Sequence, residues 1–181
     1  GTADKKAEIK NLMLSGKLDI TENYRNSFAY SGGLVGGAEY VSFTDITTNV
    51  AVTAKKGSAP YPWSYVGGFA GTVKNADFLR CVNNGTVTTD GDYVSGFAAK
   101  SETTTYTSCV NNGAITGRTK IGGFGGAVKS TKTVDSYNTG TIGLAAYNGG
   151  NQGIGGLFGE MGYGSTLTRC YNTGAVTGDC Y

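Results

Sequence analysis

The feature that most constrains this chain is that it copies itself. The stretch Gly67 to Thr88, GGFAGTVKNADFLRCVNNGTVT, returns at Ser95 to Thr116, at Gly122 to Gly143 and at Gly155 to Thr177. A fainter copy spans Gly32 to Ala54, and a half unit spans Ile9 to Ile20. From the glycine that closes each Gly-Gly or Ser-Gly pair (Gly33, Gly68, Gly96, Gly123, Gly156), the residues Ile46, Cys81, Cys109, Ser136 and Cys170 follow after 13, 13, 13, 13 and 14 positions. Six positions further on stand Val52, Val87, Ile115, Ile142 and Val176. The half unit keeps the rule with Leu12 and Leu18. Positions 12, 46, 81, 109, 136 and 170 are 34, 35, 28, 27 and 34 residues apart, so the unit is 27–35 residues long and the longer spacings carry inserts. A short unit recurring at such a period buries too little surface alone and has to stack on its neighbours.

The residues of the unit favour strands. Gly and Thr are poor helix formers, whereas Val, Ile, Phe, Tyr and Thr suit a pleated, half-buried surface. In Leu79-Arg80-Cys81-Val82-Asn83 alternate side chains face opposite ways, which turns Cys81 inward and Arg80 outward. Asn11, Asp45, Ser108, Asp135 and Arg169 share the place of Arg80 and are all polar. The expected fold is therefore all-β, a β-solenoid of five to six coils. Three ladders follow from it. Cys81, Cys109 and Cys170 form a packing column, since other copies put Leu12, Ile46 and Ser136 there. Asn83, Asn111, Asn138 and Asn172 form a column able to hydrogen-bond from copy to copy. Gly85, Gly113, Gly140 and Gly174, with Gly16 in the half unit, mark a corner expected to need positive φ. Val50 breaks that last column, and a distorted corner is expected there. Val82, Val110, Tyr137 and Tyr171 make a further, outward column.

In domain terms, residues 1–30 read as the half unit with an end cap and a first insert, 31–178 as the repeat array, and 179–181 as a truncated end. The opening ADKKAEIKNLML reads as a short capping helix or as the first strand. The chain starts at Gly1-Thr2 without a leader and stops at Tyr181 just after a repeat, so it is expected to belong to a larger polypeptide.

Composition narrows the chemistry. With 15 Lys and Arg against 13 Asp and Glu the net charge is +2, and the lysines are scattered, which argues against a nucleic-acid groove. No apolar run approaches membrane-spanning length, so membrane insertion is not expected. The chain has no histidine, which removes the usual general base and any histidine-dependent triad. Asp77, Asp90, Asp92, Asp135, Glu39, Glu102 and Glu160 do not recur in a way that builds a cleft and read as solvated side chains. Thr89-Asp90-Gly91-Asp92 hints at calcium but lacks the remaining loop ligands, and no CxxC occurs, so neither metal nor other cofactor is expected. The GGFAGT and GGFGGA stretches lack the Lys-Ser/Thr of a phosphate loop. The cysteines in the column read as free buried thiols, with a Cys170–Cys180 bridge left open.

The insert KKGSAPYPWSY carries the candidate binding residues Tyr61, Trp63 and Tyr65. Aromatic rings held out on a loop stiffened by Pro60 and Pro62 suit stacking on sugar rings or anchoring a protein partner; the alternative is a loop folded back over the apolar flank.

The text GGLVGG, GGFAG, GGFGG and GGLFG, followed by CVNNG or CYNTG and then TV, AI or AV, resembles the GLUG motif over residues 31 to 178. The Ser95-Gly96-Phe97-Ala98-Ala99 copy departs from its glycine pattern. The resemblance implies a secreted or cell-surface bacterial protein of the adhesin type, or the non-catalytic region of an immunoglobulin A protease. It implies an extracellular spacer, adhesive or substrate-presenting role and transfers no catalytic residue; a host glycan or protein as partner is expected from the aromatic insert.

Overall fold

The computed structural model describes residues 1–23, 28–57, 63–145 and 153–178. Every element among them is a strand, and the strands form two sheets, one of seventeen strands and one of five. The opening stretch settles as strand Ala7–Glu22, so no capping helix forms there. All pairings are parallel, and equivalent residues of successive copies are partners. Phe43 pairs with Phe78, Phe78 with Tyr106 and Tyr106 with Thr133.

The expected β-solenoid of five to six coils is corrected by this sheet organisation. The large sheet is a parallel half-barrel, and the five-stranded sheet lies beside it as a separate sheet. The reason is visible in strand Val35–Lys56, which runs unbroken past three separate strands of the next copy, Ala70–Leu79, Val82–Asn83 and Val87–Thr89. Successive segments thus join into one continuous curved sheet in place of the expected coils. The distorted corner expected at Val50 is part of the same strand: Val50 continues it where Gly85 and its counterparts interrupt it.

The left-handed corners fall on residues whose conformation the sequence did not reveal, the first of them the outward polar column of Arg80. Asn11, Asp45, Arg80, Ser108, Asp135 and Arg169 all have φ between 49° and 55°, and Tyr40, Asn75, Thr103 and Ser130 form a second such column. A left-handed non-glycine residue costs on the order of 1 kcal/mol, so it persists only where its neighbours fix it. Here the level bonds continue through the corner, from Arg80 N to Thr107 O (3.0 Å) and from Asp135 N to Thr168 O (3.0 Å). Outside, Arg80 clasps Asp45 through two bonds of 2.6 and 2.7 Å, and Arg169 clasps Asp135 at 2.5 and 2.8 Å.

The glycine column needs a different explanation from the expected one. Gly16, in the half unit, has the expected positive φ (141°), but Gly85, Gly113, Gly140 and Gly174 do not. They are glycines because successive copies touch there: a Cβ on Gly113 would lie 1.9 Å from the Gly85 carbonyl oxygen, and one on Gly140 would lie 2.0 Å from that of Gly113. A side chain in that column would push the levels apart.

Two apolar clusters fill the interior. In the first, Phe69, Phe97 and Phe124 stack at 4.7 and 4.8 Å, and Phe43, Phe78 and Tyr106 stack at 4.6 and 4.9 Å. The stacks meet edge to face, Phe78 on Phe97 at 5.7 Å, the geometry that ring quadrupoles favour. Tyr106 is fully buried and bonds Ser101 through its hydroxyl at 2.7 Å. In the second cluster, Val52, Val87, Ile115 and Ile142 of the large sheet pack on Val66, Val94 and Ile121 of the five-stranded sheet. This cluster holds the two sheets together and fixes the outer face of the smaller one.

Candidate functional site

The five-stranded sheet runs in the order Gly153–Gly155, Lys120–Gly122, Tyr93–Ser95, Trp63–Gly67, Phe28–Gly32. Each strand ends at the glycine pair of its copy. Its alternate residues, Val66, Val94 and Ile121, point into the core, and this alternation turns Tyr65, Tyr93 and Lys120 to the other side. Phe28 pairs with Trp63, and Tyr30 with Tyr65, which pairs in turn with Tyr93. Five aromatic residues therefore share one face: Phe28, Tyr30, Trp63, Tyr65 and Tyr93.

The expected loop is in part this sheet. Trp63 and Tyr65 lie on strand Trp63–Gly67, which fixes them by ladder bonds, while Tyr61 and both prolines lie outside the described residues. Trp63 is 49% exposed, but Tyr65 is only 6% exposed. Tyr65 is held between Tyr93 (4.6 Å) and Tyr30 (5.5 Å), with Phe28 at 5.9 Å. Burial, then the neighbouring Tyr93 and Tyr30, push its hydroxyl pKa up to about 12, so it stays a neutral donor under ordinary conditions. Tyr65 thus supports the face, while Trp63, Phe28 and Tyr30 present it. Phe28, Tyr30 and Tyr93 escaped the sequence reading because they stand upstream of the repeated text; the signal was a tyrosine three positions before the second glycine in three copies, Tyr30, Tyr65 and Tyr93.

Beside this face, where the chain turns through the glycine pair into the large sheet, lies a groove of about 390 Å³. Tyr65, Tyr93, Lys100, Lys120, Lys129 and Tyr163 are among the residues that line it. The two sheets approach closely at this turn, since a Cβ on Gly126 would meet the Lys120 carbonyl at 2.7 Å. Lys120 stands 5.2 Å from the centre of the Tyr93 ring and pairs with Glu160. Burial works against its ammonium charge, but the bonds to Glu160 and Tyr93 outweigh that and hold its pKa above the ordinary value. Lys129 pairs with Glu102 at 3.7 Å and stands 4.7 Å over the Tyr163 ring. Lys100 stands 5.9 Å over the Tyr65 ring.

Comparison with protein-family models, with curated proteins and with solved structures finds no match to this chain.

The remaining sequence candidates lie in the large sheet. Asn83 donates to Asn111 (2.7 Å), Asn111 to Asn138 (2.6 Å) and Asn138 to Asn172 (2.6 Å), and each also bonds the carbonyl of the glycine two residues on. Cys81, Cys109 and Cys170 are free thiols. Cys81 donates to the Phe43 carbonyl at 3.4 Å, and Cys109 donates to the Thr107 carbonyl at 3.3 Å. Burial pushes the Cys109 thiol well above its ordinary pKa, which keeps it protonated and unreactive. Cys180 lies outside the described residues. Tyr137 and Tyr171 stack at 4.8 Å.

Glu102 and Glu160 line the groove together, and Asp90 and Asp92 both approach Lys56; the other acids stand separately against their own partners. Asp77 pairs with Lys6 (2.5 Å), Glu39 with Lys74 (3.6 Å), Asp92 with Arg118, and Asp90 accepts the Lys56 backbone N–H (2.6 Å). Among the described residues no three acids or thiols gather as a metal site. No described helix is long and apolar enough to cross a membrane, which says nothing of strands.

Proposed function

We propose that this chain is a non-enzymatic structural and adhesive repeat module of a secreted or surface-attached bacterial protein. The chemistry of the repeats supports the structural half. Hydrogen-bonded asparagines, stacked rings and close glycine contacts tie each level to the next, and such a body holds a surface in fixed geometry. The resemblance of the repeat text to the GLUG motif supports the setting outside the cell and the membership of a larger polypeptide.

One observation favours the binding-module version: Phe28, Tyr30 and Trp63 are half exposed on a single face of the five-stranded sheet, backed by buried Tyr65. Large exposed aromatics on a rigid strand lose little conformational entropy on binding, and their flat faces suit sugar rings or the apolar anchor of a host protein. Glu102 and Glu160, the two carboxylates of the groove, are each tied to a lysine, which favours this over a polysaccharide-degrading enzyme, whose two acting groups must be free to converge on one bond.

The test is binding of the chain to a glycan array and to mucin, with Trp63→Ala and Phe28→Ala beside it. Loss of at least tenfold in apparent affinity in both variants, with unchanged melting, is expected. Undiminished binding by both would remove the aromatic face as the adhesive surface.

A further inference from the structure

Resting on the glycan-binding reading just given, we propose that the groove beside the aromatic face seats an acidic sugar residue of a glycan, a uronic or sialic acid, with its carboxylate at Lys100.

Charge selects the ligand. Three ammonium groups line the groove, those of Lys100, Lys120 and Lys129, against two carboxylates, Glu102 and Glu160. Lys120 is engaged by Glu160 and Lys129 by Glu102. Lys100 has no carboxylate partner among the described residues, only the ring of Tyr65. Its register explains why: the residues level with it on the neighbouring strands are Thr72 and Ala127, which bring no charge. Ala127 is also small and leaves room in front of the ammonium. An incoming carboxylate therefore meets an exposed cation without having to break an internal ion pair.

The rest of the groove fits a sugar better than it fits a polyanion. Glu102 and Glu160 repel a run of phosphates or an acidic peptide, but as acceptors they suit the hydroxyl groups of a single acidic sugar. Tyr163, 74% exposed, offers a ring in the lining, and the volume lies within the ~300–1,000 Å³ of small-molecule sites. The groove is continuous with the aromatic face through Tyr65 and Tyr93, so one glycan chain can lie on both.

The experiment is calorimetric titration of the whole chain with hyaluronan oligosaccharides and 3′-sialyllactose, and with lactose and a dextran oligosaccharide as neutral counterparts. Acidic glycans are expected to bind at least tenfold more tightly than neutral ones, with the preference weakening as salt rises. Lys100→Gln should erase the preference for acidic over neutral sugars, and Lys100→Arg should keep most of it. Lys100 is exposed, so the Gln variant is expected to melt with the parent. Equal affinity for acidic and neutral sugars, or acidic binding that survives Lys100→Gln, overturns the groove proposal, and if Trp63→Ala still abolishes binding, the aromatic face stands alone. Binding confined to acidic peptides or nucleic acid overturns it as well.

Discussion

The two sheets use the same parallel register to different ends. In the large sheet a column tends to repeat its residue: asparagine over asparagine, glycine over glycine, phenylalanine over phenylalanine. On the outer face of the small sheet the column repeats tyrosine through Tyr30, Tyr65 and Tyr93 and then changes, to Lys120 and Gly153. A repeated residue can satisfy itself, because the copy above offers the acceptor or ring face that the copy below needs. A changing column cannot, and it leaves groups turned to solvent. Repetition here builds the body, and departure from repetition builds the surface.

The sharpest way to break this contrast is to cut a self-satisfying column. Phe97 stacks on Phe69 and Phe124 and meets Phe78 and Tyr106 edge to face, at full burial. Phe97→Ala should cost about 3–5 kcal/mol of unfolding free energy, read by denaturant titration. A loss under ~1 kcal/mol would mean that the rings are not a joined core. Asn111→Ala comes next, at about 3 kcal/mol, since it strands the Asn138 amide oxygen and removes the Asn83 acceptor within a buried chain. Replacing an outer-column residue should behave otherwise. Lys120→Ala removes a partly exposed ion pair and is expected to cost less than about 1 kcal/mol, so a cost matching that of Asn111→Ala would erase the distinction between the sheets.

The same logic predicts a gain. The asparagine ladder stops at Asn83, whose Oδ1 is buried without a partner because Thr48 occupies the level below. Thr48→Asn places an amide N–H under that oxygen, in the direction the ladder already runs. We expect a stabilisation of about 1 kcal/mol, seen as a higher denaturation midpoint at unchanged slope. A lower midpoint would show that Thr48 is fixed by packing the ladder does not control.

Much of the large sheet was legible in the sequence because its columns repeat. The matched spacing of Cys81, Cys109 and Cys170, and of the four asparagines, is the register itself. The solenoid expected from that register is not what forms, and the smaller sheet was not legible, because spacing alone does not say where a strand breaks. Strand Val35–Lys56 and strands Val82–Asn83 and Val87–Thr89 share one spacing, yet the first is continuous. The left-handed corner was also hidden. Arg80 and Ser108 give no chemical sign of positive φ; they adopt it because the levels on either side hold them there. The aromatic face was half legible: Trp63 drew notice as the only tryptophan, whereas Tyr30 and Tyr93 mattered only once the strands were paired.

The seam between the two regions offers the finest test. Glu22, at the end of the first long strand, is fully buried beside Ser31 and Ser64 of the small sheet, and its Oε2 has no partner. Burial raises its pKa above the ordinary 4.5, opposed by the nearby Ser64 and Ser31 hydroxyls and reinforced by nearby Asp90. A carboxyl whose folded pKa is raised binds its proton more tightly in the native state. Its contribution to stability is thus fully present below pH 4.5 and is lost as the pH rises through the folded value. Glu22→Gln keeps the shape without the charge. The difference in stability between variant and parent should therefore grow in the variant's favour from pH 4 to pH 7, the smallest of these effects at either pH but the one with a defined direction. A difference that stays flat across that range would show that Glu22 finds a solvated or paired state, and that the seam is looser than the columns on either side of it.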